Sequence, residues 1–333
     1  MSVVAERTRL LLAISDLRGG GAEREFASLA NHLSRDRFEI HAVFWRSTAV
    51  YELSDDIETH FVKKERPWHV FGAIRGFRRL VEELQPDVVF SQLHYVNMVM
   101  GTALARSSHR PKWICRLVND PEREMPGLWA WWARRSLGRA DKVLGASDGV
   151  AGAIVDHLKI EPNQVATMVN AVDVELVERR SRSPLSIDRD EGRFVVVHAG
   201  RLTRQKNQAM LLEAFSELPD PRAELWVLGE GEMAEELRSL ADSLGLANRV
   251  KWLGFQQNPY PFFRAADCFA LSSDHEGLPN VLIESMICGT PAVSTRCNYG
   301  PGELIEDGIT GFLTPVGDPE AFARALAAVA SDP

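Results

Sequence analysis

Short apolar runs alternate with longer amphipathic stretches along this chain, and each run reads as a strand. In the first half the runs are Leu10 to Ile14, Phe38 to Trp45, Ile57 to Val62, Asp87 to Ser91, Trp113 to Leu117 and Lys142 to Ala146. In the second half they are Phe194 to Ala199, Leu225 to Leu228, Val250 to Leu253 and Cys268 to Leu271. Between the runs, periodicity and stop signals predict helices over about 22–33, 208–217, 279–288 and 319–330. Strand alternating with helix is the pattern of a parallel sheet covered on both faces, so the expected class is α/β with Rossmann-like sheets. Near the middle, Arg179 to Gly192 is charged, contains Ser and Pro, and has little apolar periodicity. The expected division is a first domain over 1–175, a linker over 176–192 and a second domain over 193–333.

Composition supports two domains: 333 residues with 45% hydrophobic content can bury large cores. The longest apolar runs fall well short of the roughly 18 residues that span a bilayer, so the expected location is the cytoplasm. Cys115, Cys268, Cys288 and Cys297 show no C-x-x-C spacing and sit singly in apolar segments, which indicates reduced core thiols and neither zinc nor disulfides. The net charge of −8 is unevenly shared. Residues 1–180 carry 25 Lys and Arg against 24 Asp and Glu, and residues 181–333 carry 13 against 22. An acidic second half that binds an anion must do so with a few placed cations, whereas the first half could meet an anionic acceptor or membrane; the balance argues against nucleic acid.

Candidate chemistry collects where strands end in loops. Glu276-Gly-Leu-Pro-Asn-Val-Leu-Ile-Glu284 reads as a loop running into a helix, with Pro279 suited to its first position and Gly289 closing it. That helix start, with Gly277, Leu278 and Pro279, offers N–H groups to a diphosphate. Carboxylates cannot hold phosphate, but Glu276 and Glu284 can accept from vicinal hydroxyls of a sugar or ribose. The plainer reading of an isolated pair is a solvated helix residue and a loop charge. After Phe194 to Ala199, the turn Gly200-Arg-Leu-Thr-Arg-Gln-Lys-Asn207 places Arg201 and Lys206 where two cations can neutralise a diphosphate. In the first half, Gly19, Gly20 and Gly21 let backbone approach a ligand, although the order fails the G-x-G-x-x-G fingerprint. His94 ends a strand and reads as a helix-start or packing residue. Gly127 to Arg139 concentrates three tryptophans and three arginines, a composition suited either to a membrane interface or to a core helix with snorkelling arginines.

These motifs together resemble the retaining glycosyltransferases of family 4, which have the GT-B fold of two Rossmann-like domains facing a cleft. The resemblance rests on Ser272-Ser-Asp-His-Glu-Gly-Leu-Pro-Asn-Val-Leu-Ile-Glu284, on Gly200-Arg-Leu-Thr-Arg-Gln-Lys-Asn207, on Gly20-Gly-Ala-Glu-Arg24 and on Asn170-Ala-Val-Asp173. It covers nearly the whole chain. It implies transfer of a hexosyl or N-acetylhexosaminyl group from a UDP- or GDP-sugar to a hydroxyl, with retention of configuration and no metal. Glu276 would meet the donor sugar, Glu284 the ribose, Arg201 and Lys206 the diphosphate. Gly254 and Phe255 would hold the base edge, and Gly20 and Gly21 would face the donor phosphate and acceptor. Where many members place a histidine, this chain has Asn119 and Asp120, as in a subgroup of polysaccharide and lipid-linked oligosaccharide assembly. A glycan or polyprenol-linked acceptor is therefore expected, with peripheral contact to an anionic membrane. A sugar-nucleotide 2-epimerase and a non-catalytic nucleotide-sugar-binding subunit stay open as alternatives. Members usually continue into helices that return to the first domain; this sequence stops after about Ala330, so it is expected either to be shortened or to close differently.

Overall fold

The computed structural model describes residues 7–18, 20–46, 50–62, 69–190 and 192–331. They form two compact units that divide between Asn170 and Ala171. The first unit runs β1 (Thr8–Ala13), α1 (Gly21–His32), β2 (Phe38–Phe44), β3 (Glu58–Phe61), α2 (Val70–Leu84), β4 (Val88–Gln92) and α3 (His94–Leu104). It continues with β5 (Lys112–Leu117), α4 (Pro121–Glu124), α5 (Leu128–Leu137), β6 (Lys142–Gly145), α6 (Asp148–Asp156) and β7 (Val165–Thr167). All strand pairs are parallel and the order is β3-β2-β1-β4-β5-β6-β7. On one face, Leu10, Leu12, Ile40, Ala42 and Phe44 pack against Phe26 of α1.

The second unit runs α7 (Val174–Ser181), β8 (Val195–Ala199), α8 (Gln208–Ser216), β9 (Glu224–Leu228), α9 (Ala234–Ser243), β10 (Val250–Gly254) and α10 (Tyr260–Ala265). It ends with β11 (Cys268–Leu271), α11 (Asn280–Ile287), β12 (Ala292–Thr295), α12 (Pro301–Leu304), β13 (Gly311–Thr314) and α13 (Pro319–Ser331). Its parallel sheet has the order β10-β9-β8-β11-β12-β13. Alternation along the strands explains why both faces are apolar. Val196, Leu225 and Val227 face a core with Leu211, Phe215 and Phe322, while Val195, Val197, Trp226 and Leu228 face one with Phe263 and Phe269.

In both sheets the strand order reverses beside the first strand, between β1 and β4 and between β8 and β11. Loops leaving the carboxyl ends of such strand pairs diverge and leave room for a ligand. The arrangement is two Rossmann-like domains, as the alternation predicts.

The segment expected as a linker, 176–192, is partly built into the second unit. Val177 is buried on α7, and Val172, Leu185 and Ile187 pack against the same core as Phe263 and Phe269. Val177, Leu185 and Ile187 fall within that segment and Val172 lies just before it; too sparse for a visible period, they still lay the stretch on this core. The cysteines are free, three of them buried. Burial pushes the thiols of Cys288 and Cys297 up to about 11 and that of Cys268 up to about 12, which keeps them protonated and inert. No helix among the described residues is long and apolar enough to cross a membrane.

Candidate active site

The carboxyl ends of β8 and β11 carry the two loops singled out in the sequence, and the structure zips them together. Asp274 N–H donates to the Gln205 carbonyl at 2.8 Å, Gln205 Nε2 to the His275 carbonyl at 2.9 Å, and Ser272 Oγ to the Lys206 carbonyl at 2.8 Å. Asn207 stands in the left-handed region, φ +45°, which its short amide tolerates. From there it caps α8 by accepting from Met210 N–H and donates Nδ2 to Asp274 Oδ1 at 2.8 Å.

At the centre of this seam Lys206 Nζ lies 2.5 Å from Glu276 Oε1, which also accepts from Ser273 Oγ at 2.6 Å. Glu276 is 6% exposed and Glu284, on the first turns of α11, is 2% exposed. Neither carboxylate is the solvated charge of the plainer reading. A buried carboxylate costs several kcal/mol unless it is paired, and Glu276 has its partners in Lys206 and Ser273. Arg201 is exposed beside the same turn. Its carbonyl accepts from Gln208 Nε2 at 2.9 Å, and that amide also donates to His198 Nε2 at 3.1 Å.

His198 is fully buried in β8 and its Nδ1 donates to the Ala270 carbonyl at 2.9 Å. Burial pushes its pKa down to about 4, the Ala270 bond opposes this, and the nearby Lys206 charge adds to it. The neutral ring, with its proton on Nδ1, thus accepts from Gln208 and props the Arg201 turn from beneath. The sequence reading missed His198, Gln208 and Ser273. A histidine inside an otherwise apolar strand is the signal that could have found the first.

Three strand ends lie side by side through backbone alone. Gly200 N–H donates to the Leu228 carbonyl at 3.0 Å, Leu202 N–H to Glu230 at 2.9 Å, and Gly229 N–H to Gly254 at 2.8 Å. A Cβ on Gly229, φ +135°, would stand 1.9 Å from the Gly200 carbonyl oxygen, and one on Gly231 would stand 2.2 Å from that of Leu202. Gly254 has φ +66° and presents Phe255, 44% exposed, at the end of β10. Across the unit, a Cβ on Gly300 would meet the Gly277 carbonyl at 2.4 Å, so the turn before α11 is held as closely. Pro279 caps α11 and Asn280 is its first residue, one position later than the sequence suggested; the extended ψ of 106° at Pro279 keeps it outside the helix. Leu278 is buried in that turn.

In the first unit, Gly20 precedes α1 and Gly21 opens it, with Arg24 N–H donating to the Gly20 carbonyl at 3.1 Å; Gly19 lies outside the described residues. Arg116, fully buried on β5, clamps this region. Its guanidinium is 2.5 Å from Glu25 Oε1 on α1 and donates to the Met168 carbonyl and to Asn170 Oδ1. Asn119 donates Nδ2 to Glu124 Oε1 at 2.7 Å, and His94 Nδ1 lies 2.9 Å from Glu124 Oε2. Asn119 Oδ1 accepts from Asp120 N–H, so its amide is engaged at both ends inside its own turn. His94 is indeed a helix-start residue, at the beginning of α3.

On α5 the sequence left two readings open, and the structure divides the helix between them. Trp132 is partly buried, with Nε1 donating to Thr102 Oγ1 at 3.0 Å and its ring beside Tyr95. Leu128 and Trp131 are 85% and 65% exposed, and Arg134, Arg135 and Arg139 are exposed as well.

Comparison with known proteins agrees with this architecture. The family model "Glycosyltransferase Family 4" matches residues 19–176, and "Glycosyl transferases group 1" matches residues 180–333. An uncharacterized glycosyltransferase of Methanocaldococcus jannaschii is 30% identical over 256 residues, 72% of this chain and 63% of that protein. The N-acetylgalactosamine-N,N'-diacetylbacillosaminyl-diphospho-undecaprenol 4-alpha-N-acetylgalactosaminyltransferase of Campylobacter jejuni is 28% identical across 97% of this chain and 90% of its own length. Among solved structures, Anabaena HepE in complex with UDP-glucose superposes with a TM-score of 0.81 at 22% identity, covering 98% of this chain and 90% of that one. With each half matched by a glycosyltransferase model and the fold shared with such enzymes, the chain belongs to the family 4 glycosyltransferases of the GT-B fold.

Proposed function

We propose that the protein transfers a sugar from a nucleoside diphosphate sugar to a hydroxyl of a glycan or polyprenol-linked glycan, with retention of configuration, in cell-surface polysaccharide assembly. The observation that carries this reading is the seam at the ends of β8 and β11, where Lys206, Glu276 and Ser273 meet beside Arg201 with Glu284 buried on α11. Arg201 and Lys206 take the diphosphate, so no metal is required to hold it. Glu276 accepts from hydroxyls of the donor sugar, Glu284 from the ribose, and the turn at Gly254 and Phe255 takes the base edge. The bond from the anomeric carbon to the diphosphate oxygen breaks while the acceptor oxygen bonds to the same face. The acceptor's proton passes to the departing phosphate. Both cations act on charge that grows as the bond breaks, which is where fixed electrostatics lowers a barrier. The Campylobacter relative, named for a diphospho-undecaprenol substrate, and HepE, solved with UDP-glucose, support a UDP-sugar donor and a lipid-linked acceptor.

Incubating the purified protein with UDP-, GDP- and ADP-sugars, with and without a polyprenol diphosphate glycan, tests this. Acceptor-dependent release of the nucleoside diphosphate is expected; no release with any donor would refute it. Within the site, Glu284→Gln is expected to weaken binding of the free nucleoside diphosphate by about tenfold or more, as loss of a charge-assisted hydrogen bond does. Glu276→Gln is expected instead to slow transfer. Equal nucleotide affinity of wild type and Glu284→Gln by calorimetry contradicts the ribose role.

The lipid-linked acceptor brings the first unit to a bilayer through α5. Leu128, Trp129 and Trp131 supply apolar and interfacial side chains, and Arg134, Arg135 and Arg139 meet anionic headgroups. The association is peripheral and salt-sensitive, because exposed charges are screened beyond about 8 Å at physiological ionic strength. The protein is expected to float with anionic liposomes at low salt and to sink at high salt, and Arg134→Glu/Arg135→Glu to sink in both. Flotation unchanged by the charge reversal removes the membrane role.

A further inference from the structure

On the edge of the first sheet, remote in sequence from the loops above, three potential metal ligands share one face. His41 on β2 is paired in register with Glu58 on β3, and His60 follows Glu58 by two residues, so alternation returns it to the same side. His41 Nδ1 lies 3.1 Å from His60 Nε2 and 3.4 Å from Glu58 Oε2, and His60 Nε2 lies 3.7 Å from Glu58 Oε1. Ligands bound to a tetrahedral Zn²⁺ at 2.0–2.1 Å stand about 3.3 Å from one another, which is the spacing these donor atoms already have.

A further contact sets the tautomer that coordination needs. Glu39 Oε1, itself held by Arg9 Nε at 3.0 Å, accepts from His41 Nε2 at 3.1 Å. The His41 proton therefore belongs on Nε2, which leaves the Nδ1 lone pair aimed at the cluster, the carboxylate–histidine arrangement found behind metal ligands. His41 is buried, His60 is 17% exposed and Glu58 is 66% exposed, so the cluster is dry behind and open in front. A cleft of about 170 Å³ lined by Glu39, His41 and Glu58, together with Arg7, Arg35 and Asp56, opens beside two of the three ligands; His60 does not line it. The absence of zinc signals among the cysteines does not reach this cluster, which contains none.

We propose that His41, His60 and Glu58 bind one Zn²⁺-class divalent ion, with water completing a tetrahedral shell, and that the ion fastens edge strand β3 to β2. Two imidazoles and a carboxylate favour a borderline transition ion over Mg²⁺ or Ca²⁺, which take oxygen ligands. The site is structural and independent of the sugar-transfer reading.

The test uses the tag-free full chain and Zn²⁺ or Co²⁺ alone. One Zn²⁺ per chain is expected by calorimetry, with a rise in Tm, and Co²⁺ is expected to give the intense visible bands of a four-coordinate nitrogen and oxygen site. His60→Ala and Glu58→Gln, both on the accessible side, are expected to lose at least a hundredfold in affinity while keeping the metal-free Tm. Glu39→Gln is expected to lose about ten- to a hundredfold, as outer partners of ligating histidines do. Absence of stoichiometric Zn²⁺ binding, or binding undiminished in both His60→Ala and Glu58→Gln, overturns the proposal.

Discussion

Lys206→Ala is expected to lower the rate of sugar transfer by about a hundredfold, roughly 3 kcal/mol of transition-state stabilisation, and Arg201→Ala by a similar factor. Nζ of Lys206 is the cation best fixed in the second unit's strand-end seam: its carbonyl is bonded by Ser272, and its ammonium is 2.5 Å from Glu276. A cation so placed needs no reorganisation when charge develops on a leaving diphosphate. Its removal has a second effect, because Glu276 is left buried with only Ser273 bonded to that oxygen. The two effects separate when the double variant Lys206→Ala/Glu276→Gln is compared with Glu276→Gln alone. If the loss were only an uncompensated carboxylate, the two would turn over equally. The expected result is that the double variant regains the Tm lost in Lys206→Ala and still turns over far more slowly than Glu276→Gln. Full turnover in both single variants removes the diphosphate site from this seam.

Acidification is expected to destabilise the second domain through His198. Its pKa falls from the ordinary 6.5 to about 4 in the fold, with burial as the main cause. Between those values the unfolded chain binds a proton that the folded chain does not, so stability rises with pH across this window and is lost as pH falls from 6.5 towards 4. For this one group the loss amounts to about 2 kcal/mol by pH 5 and saturates near 3 kcal/mol. Protonation also places a hydrogen on Nε2 where Gln208 donates, so the prop beneath the Arg201 turn is lost together with the stability. Urea midpoints at pH 7.5 and pH 5 for wild type and His198→Gln provide the check. The wild type should lose the larger amount; equal losses would show that His198 does not govern the acid limb.

Much of this was legible in the chain. The strand at Cys268 to Leu271, the closing glycine at 289 and the parallel character of both sheets follow from apolar runs bounded by turn residues. The two loops could be placed at strand ends, because glycine, proline and paired charges mark such turns. What could not be read is the join between them. Gln205, Asn207, Ser272 and Asp274 are ordinary loop residues in sequence, and they become a seam only when the β8 and β11 ends stand side by side. The packing of residues 172–187 was hidden for a related reason. Val172, Val177, Leu185 and Ile187 form no period, yet each packs on a core that includes Phe263 and Phe269, far along the chain. Short β12 and β13, four residues each, likewise lack a signal of their own; β12 depends on β11 to pair, and β13 on β12.

The glycine contacts among the β8, β9 and β10 ends bear on how donor preference can be altered. Gly229 and Gly231 sit against the backbone of Gly200 and Leu202, so a library that varies those two mostly samples misfolded loops. Phe255, exposed at the end of β10, and Arg201, exposed beside Lys206, stand on that same frame with room around their side chains. Diversity for a new nucleotide is best spent at Phe255, with Arg201 kept for the diphosphate and the close-packed glycines left alone.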